Sequence, residues 1–381
     1  MIRTIELTRT APPTGALAAG SPGSTSRLVT EDLGGLNQLA AEWGNLEPFG
    51  FGPVEHFAWS RACLEQPALY GKLKIFSVWQ QGHCRAIAPL AVNRARLPRL
   101  ESLGVKELTE PMDLLFRDRE SLGALCDALA RQRLPLDLPR VPEESAVGAE
   151  LRRAFRGRGY VHIAKASPYP TMRIDASWRE PESHFNAGRR SDFRRAQRAA
   201  ERHGAVQFEI VTPTAENLDA LLAEAYQVEL QSWKGRAGTA LAVDQLRAPV
   251  YRQYFRMACE RGILRIVLMR IDGRAVGMQL VTETNQRLWL MKIGHDEQYS
   301  KASPGTLLML ELARYAAARD IQSIEFLGSA ESWTQLWSEE LRQCVRIRAF
   351  PVGVTSGLAF IDDAAQSAWT SLRRKFNRAN P

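Results

Sequence analysis

The sequence predicts an α/β (α+β) protein of two units, each a mixed, mostly antiparallel twisted sheet flanked by helices. Three observations carry that expectation. The chain has 381 residues, and at roughly 150 residues per domain this length fits two domains. From Arg27 onward, short apolar runs of strand character alternate with segments of helical spacing. Neighbouring apolar runs are joined by tight polar turns, Gln80-Gln81-Gly82-His83, Asp272-Gly273-Arg274 and Asn285-Gln286, and such turns make adjacent strands antiparallel.

Residues 1–27 are rich in Ala, Pro, Thr, Gly and Ser and are expected to form a disordered tail. The first unit is expected over 28–170. Helical spacing covers 33–43 and 54–64. Residues 72–79 and 84–92 form a hairpin, 108–116 a further strand and 120–131 a helix. Residues 134–144 hold three prolines and read as loop. A helix over 147–156 and a strand over 160–166 follow.

Residues 171–204 read as a connecting region built on an Arg-rich helix. Arg189, Arg190, Arg194, Arg195, Arg198 and Arg202 surround a narrow apolar stripe of Phe193, Ala196, Ala199 and Ala200. This pattern suits a solvated face, or a surface for phosphate, to which Arg makes bidentate contacts. The second unit is expected over 205–381. It opens with a strand over 206–211, a helix over 217–233, a basic glycine-rich turn over 234–239 and a helix over 250–261. Antiparallel strands over 264–271, 275–283 and 288–293 come next, then a polar loop and a helix over 306–318. A strand over 323–327, a helix over 331–341, a strand over 345–352 and a basic helix over 364–376 close the chain.

The loop between 293 and 306 is the most telling stretch. The first turn of a helix carries unpaired N–H groups and a partial positive charge, and phosphate binds there without a specific side chain. Gly305 lets a ligand approach the backbone, while Ser303 and Thr306 offer hydroxyls either to a ligand or as helix caps. The net charge of +8 suits an acidic ligand such as a phosphorylated cofactor, a nucleic acid or an anionic membrane surface. Five cysteines stand apart with no C-x-x-C pair, which argues against a disulfide framework or a zinc site and for a reducing, cytoplasmic location. No window approaches the length of a membrane span, and Arg3 and Arg9 are not followed by the apolar region of a secretory signal.

The order of elements from Val206, together with the segments GRRSDFRRAQRAAERHG, SWKGRAGTAL, DGRAVGMQL, KIGHDEQYSKASPGTLLMLEL and EFLGSAESWTQLW, resembles the GNAT acyltransferases. The likeness is to the BioF2-like acetyltransferase domain of CelD-like polysaccharide-biosynthesis proteins, with a more distant similarity to Fem-type aminoacyltransferases. It implies tandem GNAT-like domains, with acetyl-CoA or another acyl-CoA as co-substrate, no metal, and an amine acceptor such as a sugar or polysaccharide precursor. It places pantetheine beside Met291, Lys292 and Ile293, and the pyrophosphate against Ser300, Ser303, Gly305 and Thr306. The chain departs from the family at His295, where an aromatic residue is frequent, and at Trp333-Thr334, where a Tyr-Lys pair is frequent. SKASPGT also stands in for the usual glycine-rich loop.

Acyl transfer from a thioester needs a neutral amine, a proton acceptor, and N–H groups that hold the developing oxyanion. His295, Asp296 and Glu297, just past a strand end, are the candidate proton acceptors; Asp296 equally suits a turn or cap. Glu229, Trp233, Lys234 and Arg236 are candidates for the acceptor pocket, as is Trp333, and the Lys-Gly-Arg-x-Gly turn is expected to expose donors. Two alternatives stay open. One is a Fem-type transferase that uses aminoacyl-tRNA, with the Arg helix on tRNA phosphates. The other is a non-catalytic GNAT-like accessory protein.

Overall fold

Both hairpin turns of the second half take a left-handed conformation at two successive residues. Asp272 and Gly273 lie at φ 48° and 80°, Asn285 and Gln286 at 51° and 56°. This geometry matches the twist of paired strands, which is why Asp-Gly and Asn-Gln mark the turns in the sequence. The computed structural model describes residues 2–3, 25–104, 108, 110–363 and 365. The tail expected over 1–27 and the helix over 364–376 lie almost wholly outside these residues.

The strands in chain order are β1 (Ile2–Arg3), β2 (Thr25–Thr30), β3 (Lys72–Gln80), β4 (His83–Val92), β5 (Leu100–Ser102), β6 (Leu115–Phe116), β7 (Leu136–Pro142), β8 (Gly159–Arg173), β9 (Val206–Val211), β10 (Leu264–Ile271), β11 (Arg274–Thr284), β12 (Arg287–His295), β13 (Ser323–Glu325) and β14 (Leu341–Pro351). The helices used below are α1 (Leu33–Gln38), α2 (Ala40–Leu46), α3 (Phe57–Cys63), α4 (Arg119–Ala130), α5 (Val147–Ala154), α6 (Ala187–Glu201), α7 (Leu218–Leu230), α8 (Trp233–Arg236), α9 (Ala248–Glu260), α10 (Pro304–Ala317) and α11 (Ser332–Gln335).

The chain divides into two units, and neither is contiguous in sequence. The first holds Met1–Phe51, Pro67–Ser167 and Gln343–Pro381; the second holds Gly52–Gln66 and Pro168–Arg342. In the first unit the sheet runs β1-β2-β3-β4-β5-β7-β14, with β6 also on β4. Its pairs are antiparallel apart from β5 with β7. Leu122, Leu125 and Leu129 of α4 and Leu151 of α5 pack on the apolar face of this sheet. In the second unit the order is β13-β12-β11-β10-β9, antiparallel apart from β12 with β13. Leu308, Leu312 and Ala316 of α10 join Phe193, Ala196, Ala199 and Ala200 of α6 in its core. The stripe read from the sequence is therefore the buried face of the Arg-rich helix. The architecture is the mixed, mostly antiparallel α/β fold that the sequence predicts.

Four local expectations fail for identifiable reasons. Residues 134–144 form β7 rather than loop. Pro139 falls at a register shift, between the pairs Val345↔Val141 and Ile347↔Leu138, so its missing N–H coincides with a bulge. Among the described residues of the strand expected over 108–116, only Leu115–Phe116 forms a strand pair. The helix expected over 331–341 stops at Gln335, because the chain must enter β14 at Leu341. The glycine-rich turn at 234 is the short helix α8, capped by the Ser232 hydroxyl. Gly235 is required there, since a Cβ would lie 1.9 Å from the Leu230 carbonyl oxygen.

Candidate active site

The site is built where β12 parts from β13. Parallel pairing joins the two strands only at Arg287, Leu288 and Trp289. Beyond Trp289, β12 keeps β11 on one edge, and its other edge has no strand partner among the described residues. The register with β11 also shifts in this stretch, from Val281↔Leu290 to Leu280↔Lys292, which leaves Met291 as the bulged residue. A bulge re-aims side chains and disrupts the ladder. An open strand edge offers N–H and C=O groups to an extended ligand.

The strand runs straight into the loop before α10. Asp296 starts a 3₁₀ helix over Glu297–Ala302, and Ser303 then takes a left-handed conformation at φ 46°. This is an uncommon conformation for a residue with a Cβ. Pro304 occupies the first position of α10, where its fixed φ fits and its missing N–H costs nothing. Thr306 and Leu307 return their N–H groups to the Ser303 carbonyl at 3.0 and 3.2 Å. Gly305 is exposed, and a Cβ there meets nothing within 4 Å. The start of α10 is therefore open to a ligand on the Gly305 side. Ser300 is also exposed and donates its hydroxyl to the Glu297 carbonyl at 2.7 Å.

Among the expected proton acceptors, Asp296 is buried and fully engaged. Its Oδ1 accepts from the Gln298 N–H at 3.0 Å and its Oδ2 from Arg274 at 2.8 Å. Glu297 is held by the Arg236 guanidinium through both carboxylate oxygens. Among the described residues His295 has no carboxylate partner of this kind; its Nε2 lies 3.4 Å from the Ser300 hydroxyl. Burial holds the imidazole below its ordinary value, opposed by the neighbouring Asp296 charge. This favours the uncharged imidazole, the form able to accept a proton.

Lys234 turns inward instead of presenting a free donor. Its ammonium donates to the Ile293 carbonyl at 2.6 Å and to Glu229 Oε1 at 3.2 Å. Glu229 is buried and takes the Leu241 N–H on Oε2 at 2.8 Å. Gly294 lets α7 approach this closely, since a Cβ would lie 3.0 Å from the Glu229 Cα. Lys292 places its ammonium 4.0 Å from the centre of the Tyr251 ring on α9, a cation–π contact that holds it on the sheet face. Trp233 is 54% exposed at the start of α8. Trp333 donates to Glu331 at 3.0 Å and packs edge-on against Phe326; it makes no such contact with the other candidates. Thus Glu229, Lys234 and Ile293 are joined in one network and Arg236 and Glu297 in a second pair, while Trp333 stands outside both.

Two site residues escape a reading of local pattern. Arg274 pairs with Asp296 across 22 positions, and only the hairpin register brings them together. Gln279 is 2% exposed, sits opposite Ile293 in register, and has a buried Oε1 with no hydrogen-bond partner. Its signal was a lone amide inside the apolar run AVGMQLV.

Comparison with known proteins finds one matching family model and several similar folds. Residues 187–335 match the family model described as the acetyltransferase (GNAT) domain. The C-terminal domain of a protein assigned as a lysylphosphatidylglycerol synthetase from Agrobacterium fabrum superposes with a TM-score of 0.56 at 10% identity, over 87% of this chain and 96% of its own. FemX superposes with a TM-score of 0.57 at 10% identity, over 87% and 99%. At this identity the likeness establishes the fold. None of the curated proteins compared with the chain matches it.

Proposed function

We propose that the second unit transfers an acyl group, acetyl in the simplest case, from acyl-CoA to an amine on a sugar or polysaccharide precursor. The diverging edge of β12 carries this reading. It brings Met291, Lys292 and Ile293 alongside an extended pantetheine in the stretch where β12 has parted from β13, and it leads directly to Ser300, Ser303, Gly305 and Thr306 for the pyrophosphate. The residues fit such a ligand, with one condition: the Ile293 carbonyl is released only when Lys234 moves. His295 accepts the amine proton, directly or through water, because Asp296 and Glu297 are already engaged. Exposed Trp233 walls the acceptor side. All five cysteines are free and buried, and no helix among the described residues is long and apolar enough to cross a membrane. We therefore place the reaction in the cytoplasm.

The test is CoA release from acetyl-CoA over a panel of amino sugars. Replacing a general base typically costs 10²- to 10⁴-fold, so His295→Gln should lower kcat by about 100-fold. In the wild type, kcat should fall on the acid side with a midpoint below the ordinary imidazole value, and the variant should lack this limb. An identical pH profile in the two proteins removes His295 from the chemistry.

A second reading rests on α6. Arg194, Arg198 and Arg202 lie one turn apart on its exposed side, with no ion pair among the described residues. Such a face suits tRNA phosphates, and the protein would then be an aminoacyl-tRNA-dependent transferase. RNA binding whose affinity falls steeply with salt, and no turnover of acetyl-CoA, would favour it.

A further inference from the structure

We propose that the first unit carries a separate site for a small oxyanion, a carboxylate- or phosphate-bearing molecule, where α2, the β3–β4 turn and the end of β6 meet. A cavity of about 500 Å³ opens there, lined among others by Glu42, Asn45, Gln80, His83, Arg85 and Arg117. Its lining is rich in hydrogen-bond donors and holds one carboxylate. That carboxylate, Glu42, is already occupied: it accepts from the Cys84 N–H at 3.0 Å and faces His83 Nδ1 at 3.6 Å. The Cys84 thiol is not a nucleophile, since burial pushes it up to about 12.

Two cations in the lining have capacity left over. Arg85 pairs with Asp118 through one terminal nitrogen at 2.6 Å, but its Nε–H is buried without a partner. A buried donor left unmade is costly. Arg117 rests its guanidinium 5.2 Å from the centre of the Phe49 ring and has no carboxylate within ion-pair distance among the described residues. A ligand oxyanion in the cavity pairs with Arg117, and guanidinium forks match the geometry of carboxylate and phosphate.

The internal likeness of the two sheets gives an independent reason. In the first unit Ala86 pairs with Phe116, and the next residue, Arg117, donates its N–H to the Arg85 carbonyl at 2.9 Å. In the second unit Gly277 pairs with His295, and the next residue, Asp296, donates its N–H to the Val276 carbonyl at 2.9 Å. Arg117 therefore holds the backbone position that Asp296 holds in the second unit, with the opposite charge. In the second unit a neighbouring arginine neutralises the acid. In the first, the corresponding arginine has an aromatic face and an open cavity beside it.

The experiment is isothermal titration of the full chain with sodium phosphate and, separately, sodium citrate, against chloride at matched ionic strength. The proteins are wild type, Arg117→Gln, Arg117→Lys and Gly305→Trp. Saturable binding of one or both anions to wild type is expected, and which one binds identifies the class of oxyanion. Arg117→Gln should weaken it by about tenfold or more, the loss of one charge-assisted pair. Arg117→Lys should retain part of the affinity, and Gly305→Trp all of it. Arg117 is exposed, so its replacement leaves the fold intact. No saturable binding of either anion, equal affinity in wild type and Arg117→Gln, or loss of binding in Gly305→Trp would each overturn the proposal; the last would assign the anion to the start of α10.

Discussion

Replacing Lys234 by Met should destabilise the protein by about 3 kcal/mol, measured as a lower midpoint in urea at unchanged slope. The lysine neutralises the buried Glu229 carboxylate at 3.2 Å and ties the Ile293 carbonyl at 2.6 Å. Removing it strands an anion that is 1% exposed, and an uncompensated buried charge is the expensive half of a broken pair. The second substitution Glu229→Gln in the Lys234→Met background should recover part of the loss, because a neutral amide can keep the Leu241 N–H bond without a counter-ion. A loss under about 1 kcal/mol, the range of exposed ion pairs, would show that the network is not holding α7 and α8 on β12.

The second large effect lies in the first unit. Asp113 is 9% exposed, and burial pushes its carboxyl up to about 7 from an ordinary 3.8, with hydrogen bonds from Ser145 and the Leu114 N–H opposing. Between those two values the folded state binds more protons than the unfolded state. The stability from keeping Asp113 protonated is thus complete below about 4 and is lost as pH rises through about 7. At pH 8, Asp113→Asn should be the more stable protein by up to roughly 4 kcal/mol, the linkage value of such a shift. At pH 4 the two should be nearly equal. Denaturation curves that differ by the same amount at both pH values would mean that Asp113 stays ionised in the folded protein.

The sequence shows most of the second unit because its cues are local. Asp272-Gly273 and Asn285-Gln286 demand left-handed residues, and the spacing of Leu308, Leu312 and Ala316 can bury only one face of a helix. The buried stripe of α6 was legible for the same reason. What sequence could not show depends on register and on distant partners. Pro139 sits inside a strand because β7 bulges there against β14, some 200 positions later. Lys234 reads as an exposed donor on a glycine-rich turn; that turn is instead helix, with Gly235 packed on the Leu230 carbonyl, and the ammonium meets the Ile293 carbonyl. Asp296 read equally well as a base or a cap, and its partner Arg274 was visible only once the hairpin register was known. The parting of β12 from β13 is likewise a matter of strand pairing, and residue types alone do not encode it.

The most direct test of the central reading is a thermal-shift titration with acetyl-CoA, longer acyl-CoAs and free CoA, on wild type and Gly305→Trp. The substitution adds bulk where a Cβ meets nothing within 4 Å, so the fold is preserved while the approach to the start of α10 is filled. At about 100 times its dissociation constant a ligand stabilises by about 2.7 kcal/mol, which is readily seen. The account predicts a clear shift with acyl-CoA in wild type and its loss in Gly305→Trp. No shift with any CoA in wild type, or an equal shift in both proteins, would contradict an acyl-CoA site between β12 and α10.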